Sequence, residues 1–224
     1  MNINDYQPAE FTPNWLQDIF EKQQNLLDKY KDIEKMPDVP VSIHTAEGQK
    51  WIKDFLWRVT EELGESYEAY VQGMDLVAEY NASNTISSDE FVKRQDRYNT
   101  HMIEELIDAL HFLVELIIIS GKDWKWARDL LNDNSEKYQY GYVSGAGAYW
   151  EVTYWLGMVG NTLKNKPWKK TQMQTDDKKF YRNLGFSFVA LFNCLAELGA
   201  DETEVFSFYD RKNQVNKFRQ RSAY

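Results

Sequence analysis

The stretch HMIEELIDALHFLVELIIIS, residues 101–120, opens on Glu104, Glu105 and Asp108, places His111 one turn later and then becomes almost wholly apolar. No Lys or Arg lies within it to neutralise the acids. The segment from Leu106 to Ile119 is too short to span a bilayer, which takes ~20 apolar residues, and Asp108, His111 and Glu115 interrupt it. A helix that is apolar around most of its circumference has to be covered by other helices. The stretch therefore predicts a central buried helix with a carboxylate cluster at one end.

Working outward, the hydrophobic period is helical and nowhere alternates as a strand does. Thr12 as a cap and Pro13 in the first position predict a helix over 13–35. A second is expected over 49–72, with Trp51, Phe55, Val59 and Leu63 as its stripe. The central helix is expected over 89–120, capped by Ser88 and stopped by Gly121. A short helix over 124–132 leads to DNSEKYQYGYVSGAG, residues 133–147, the best candidate for a mobile flap. Helices over 149–163, 176–198 and 202–219 complete the chain. Short connections make residues 1–224 one all-α domain, a single-domain helical bundle. Trp124, Trp126, Trp150, Trp155 and Trp168 read as core or interface residues rather than a nucleotide box.

Of the 224 residues, 43% are apolar and 27% charged, an ordinary globular balance. The net charge of -9 argues against wrapping nucleic acid, and no segment is expected to enter a membrane. Cys194, the one cysteine, cannot form an intrachain disulfide, and no charged-then-apolar leader opens the sequence. Both observations set the expectation of a cytoplasmic protein.

Two acidic pairs stand out: Glu62 and Glu65 in EELGES, and Glu105 and Asp108 in EELIDALHF. A spacing of three puts both members of a pair on one helix face. Solvated acids usually meet basic side chains three or four positions on. Here Glu62 meets Glu65 and Ser66, and Glu105 meets Asp108 and Ala109. Like charges stacked in this way repel, and near a core their pKa values rise unless a cation lies between them. Two helices offering hard oxygen ligands suit Mg²⁺ or Mn²⁺, and the scarcity of Cys and His argues against zinc. Asp108 and His111 have the spacing of half a di-iron site, but no second acid–His pair in that order occurs on another helix. His111 therefore reads as a hydrogen-bonded pocket residue, and Glu104 as a solvated neighbour of the cluster.

From Asp210 to Tyr224 the chain carries five basic side chains and one acid. Lys212, Asn216 and Arg219 fall on one helical face and present donors suited to an oligophosphate. A solvated basic terminus is the alternative reading. No Walker-type phosphate loop is present.

Taken together, the E-x-x-E helix, the E-x-x-D helix followed by His-Phe, and the late KNQVNKFRQRSAY resemble the all-α nucleoside triphosphate pyrophosphatases. The likeness is to the dimeric dUTPases and the related phage dCTPase/dUTPase. That resemblance implies Mg²⁺, or Mn²⁺, on Glu62, Glu65, Glu105 and Asp108, with Glu62 or Glu65 activating water. It implies phosphates on Lys212, Asn216, Arg219 and Tyr224, and a base held by Gln24, His111 and Phe112. The implied reaction is dUTP to dUMP and pyrophosphate in a homodimer, in a bacterial or, for a phage protein, a host cytoplasm. Cleavage of dCTP, of both nucleotides, or of other non-standard nucleotides as in MazG-like proteins stands as the alternative. A helical interaction protein without catalysis is the non-enzymatic one. Two short stretches depart from the family pattern: Leu26 and Leu27 stand in the neighbourhood where an Asn usually follows the Gln, and Ser222 and Ala223 replace an Asn-Gly.

Overall fold

The computed structural model describes residues 9–82, 85–133, 144–166, 168 and 170–221, the last three of these by backbone alone. Among them are seven α-helices and no strand: α1 Trp15–Glu34, α2 Ala46–Ala82, α3 Ser88–Ile119, α4 Trp124–Asn132, α5 Ala146–Thr162, α6 Asp177–Glu197 and α7 Glu202–Arg221. The expected flap, 133–147, falls mostly outside the described residues.

α3 is the hub. Leu106, Ile107, Leu110, Leu113, Val114, Leu116, Ile117 and Ile119 have no exposed surface, so the apolar run is covered on every side. Its neighbours in contact are α1, α2, α6 and α7. Burying each Leu or Ile stabilises the fold by about 1.5–3 kcal/mol, which is why this segment fixes the arrangement. At its far end Gly121 adopts φ +83°. There the N–H groups of Gly121 and Lys122 return to the carbonyls of Ile118 and Ile117, closing the helix.

α2 and α3 run antiparallel over their whole length. Tyr80 stacks on Phe91 at 4.3 Å between ring centroids, and Ser66 donates to the Met102 carbonyl at 2.9 Å. α2 continues about ten residues beyond the expected end at 72, because Leu76 is buried and Tyr80 finds an aromatic partner on α3. Ser87, not Ser88, caps α3 by accepting the Glu90 N–H. α1 starts at Trp15 rather than Pro13. Thr12 takes the Asn14 N–H on its hydroxyl and the Trp15 N–H on its carbonyl, making a turn that precedes the helix. α5 and α6 form a second antiparallel pair, with Trp155 stacked on Phe186 and Asn183 donating to the Met158 carbonyl. Of the tryptophans, Trp155 is buried, while Trp150 and Trp168 are exposed. No single described helix is long and apolar enough to cross a membrane.

The connector into α2 approaches the helix closely at Gly48. A Cβ there would lie 2.1 Å from the backbone oxygen of Ser42. Gly48→Ala is expected to lower unfolding free energy by about 2–4 kcal/mol, since backbone must move to admit the methyl. Gly157→Ala, with nothing within 4 Å of the added Cβ, should instead stabilise by about 0.5–1 kcal/mol. Urea unfolding at constant m-value measures both. An equal response of the two variants would refute the close approach.

Candidate active site

The antiparallel register of α2 and α3 decides which acids meet. Ligand oxygens of Glu62, Glu105 and Asp108 lie within 4.8 Å of one another. Glu65, one turn on from Glu62, is exposed and outside that trio, but its charge still acts on Glu62 and Glu105. Burial, reinforced by Asp108, Glu65 and Glu105, pushes the Glu62 carboxyl up to about 7. Burial also raises Glu105, against the pull of Lys212 and of His101, whose Nδ1 sits 3.2 Å from its Oε1. Carboxylates in this state fit a divalent cation, which would remove their mutual repulsion.

α7 lays its basic face across the cluster. Lys212 Nζ is 2.5 Å from Asp108 Oδ2, and Arg211 pairs with Glu104. Glu104 is therefore held by a guanidinium rather than merely solvated, because α7 crosses where the sequence alone shows no base nearby. Asn216, one turn after Lys212, lines the adjoining cavity. Tyr224 and the side chain of Arg219 lie outside the described residues.

That cavity, of about 280 Å³, sits near the lower end of the ~300–1,000 Å³ typical of small-molecule sites. His111 and Phe112 line it, as do Glu62 and Asp108, so it opens directly beside the carboxylates. Gln24 does not line it. Its Nε2 donates to Asp28 on the exposed side of α1, and it borders a different cavity near Trp124. The residue in place is Gln23, since one step along a helix rotates a side chain by about 100°.

Gln23 is the centre of a buried polar network that the sequence did not disclose. Its Oε1 accepts from the Tyr209 hydroxyl and from His111 Nδ1, the latter at 2.7 Å. His111 stacks on Tyr209, with ring centroids 3.9 Å apart. Burial, with Lys212 nearby, depresses His111 to about 3, so the imidazole is neutral. Tyr209 lies three residues before Lys212, so one turn of α7 serves both the polar network and the cluster. Opposite, Arg58 forms a two-pronged pair with Glu34 at 2.7 and 3.1 Å, and its guanidinium lies 5.7 Å from the Phe112 ring centre.

Comparison with known proteins adds one finding. The model of one protein family, described as dUTPase, matches residues 90–224. The matched segment includes Glu105, Asp108, His111, Lys212 and Asn216, and begins after Glu62 and Glu65. No curated protein and no solved structure matches the chain.

Proposed function

The chain belongs to the all-α dUTPase family, and on that premise we propose that it hydrolyses dUTP to dUMP and pyrophosphate. The observation that carries this reading is the carboxylate trio at the mouth of a base-sized cavity, with Lys212 poised over it. Glu62, Glu105 and Asp108, with Glu65 beside them, would hold Mg²⁺, or Mn²⁺ in its place. When bound, the ion supplies charge neutralisation and acidifies water.

The chain's own groups do the rest. Glu62 or Glu65, the latter outside the trio, would orient the attacking water and take its proton on a carboxylate oxygen. Lys212 and Asn216 bind the phosphates, with Arg219 and Tyr224 completing the set, and Lys212 offsets charge on the leaving pyrophosphate. His111, held neutral, and Phe112 form the walls that receive the pyrimidine, with the Phe112 ring free to stack on it. A homodimer belongs to the same reading. Trp57 and Trp150, 62% and 69% exposed, are apolar surface that a second copy would cover.

The test is a panel of the deoxynucleoside triphosphates and dUTP with Mg²⁺, read as pyrophosphate release. Release from dUTP, abolished by EDTA, is expected. If no pyrimidine triphosphate yields pyrophosphate, the reading fails. A purine preference would instead favour a housecleaning role.

A further inference from the structure

Glu115 lies two turns beyond Asp108 on the same face of α3 and takes no part in the carboxylate trio. It is 5% exposed, yet it borders the base cavity alongside His111 and Phe112. A carboxyl at such a depth costs stability unless its hydrogen bonds are made. One bond comes from Gln23, whose amide is oriented for it: the Oε1 receives Tyr209 and His111, leaving the Nε2 to donate to Glu115. Arg58 attracts Glu115 as well but commits two donors to Glu34. Burial is the larger influence and pushes the Glu115 carboxyl up to about 7, so it can hold a proton near neutrality.

The two pyrimidines differ along one edge. Uracil offers N3–H as donor and O4 as acceptor, whereas cytosine offers N3 as acceptor and N4–H as donor. Most side chains match one order and oppose the other. A protonated carboxyl, which can carry its proton on either oxygen, offers one donor and one acceptor in either order and so matches both. We propose that Glu115 reads this edge, and that it lets one cavity accept cytosine as well as uracil. Gln23 fixes the direction from which the carboxyl meets the base, and the cluster next door receives the triphosphate in either case. The proposal rests on the pyrimidine triphosphate reading above and names the residue that sets its base range.

Glu115→Gln separates the alternatives, because the Gln23 amide would hold the new oxygen and turn the new NH₂ towards the base. A fixed donor suits O4 of uracil and opposes the N4 amine of cytosine. For the native protein, kcat/KM values for dUTP and dCTP should fall within about a hundredfold of one another. In Glu115→Gln the dCTP:dUTP ratio of kcat/KM should drop at least about tenfold, carried mainly by KM. Glu115→Asp keeps a carboxyl and should preserve the ratio while raising both KM values. It also serves if Glu115→Gln does not fold. Calorimetric titration of non-hydrolysable α,β-imido dUTP and dCTP gives the same ratio without turnover. If the native protein binds neither analogue, the proposal is overturned. An unchanged ratio in Glu115→Gln with dUTP cleavage intact overturns it while leaving the proposed reaction standing. Loss of pyrophosphate release from every nucleotide, with the binding ratio still shifting, overturns only the reaction.

Discussion

Asp108→Asn should lower kcat/KM for dUTP by about a hundred- to a thousandfold without lowering the stability of the metal-free protein. Three features meet at this side chain: it belongs to the carboxylate trio, pairs with Lys212, and borders the adjoining cavity. The amide is close in shape to the carboxyl, so packing on α3 is kept. What changes is charge. In the absence of a cation Asp108 is the leading neighbouring carboxylate holding Glu62 well above its ordinary value, and removing its charge relieves that repulsion. The loss of its Lys212 partner acts in the opposite direction, so the melting temperature in EDTA should move little. With Mg²⁺ added, the native protein should melt higher, because an ion bound only by the folded state stabilises it by mass action. The variant should show much less of this rise. Native-like turnover, or an undiminished Mg²⁺-dependent shift, would remove Asp108 from the metal site.

The central helix was legible because its signal is one-dimensional. An apolar run broken only by Asp108, His111 and Glu115 has one stable placement, and it has no exposed residues from Leu106 to Leu110 apart from part of Asp108. The pairing of Glu62 with Glu105 and Asp108 could be expected from repulsion within each helix. It becomes geometry only once the α2–α3 register is known. The far end of α2 was not legible, since only Gly73 and Leu76 of residues 73–82 are buried and the segment is helical through contacts such as Tyr80 on Phe91. The choice between Gln23 and Gln24 turned on a single step of helical phase, which adjacent glutamines leave open. Tyr209 and the Arg58–Glu34 pair were hidden for a different reason. Their partners lie 186 and 24 positions away, and no local pattern marks a long-range hydrogen bond. Glu115 was visible as a charge in the apolar run, but its meaning depends on the cavity that α1 closes over it.

Lys212→Met should move two measurements in opposite directions. Lys212 is the counter-charge of the cluster in the metal-free protein: its Nζ sits 2.5 Å from Asp108 Oδ2, and it pulls the Glu62 and Glu105 carboxyls down against their burial. A divalent cation must share Asp108 with this ammonium or displace it. Replacing the charge with a methionine of similar length removes the competitor, so Mg²⁺ without nucleotide should bind about three- to tenfold more tightly, the scale of a partly exposed ion pair. Turnover should nevertheless fall by about a hundred- to a thousandfold, because in the proposed reaction the same ammonium would meet the phosphates as charge develops on the leaving pyrophosphate. The metal-free variant should also melt lower, having lost the partner of a half-buried carboxylate. Isothermal titration with Mg²⁺ alone, followed by kinetics with dUTP, reads the two effects separately. A purely structural lysine would weaken both together, and a lysine confined to the solvated surface would change neither. Tighter metal binding joined to slower turnover is the outcome expected of a side chain that guards the carboxylates in the resting protein and serves the phosphates in the working one.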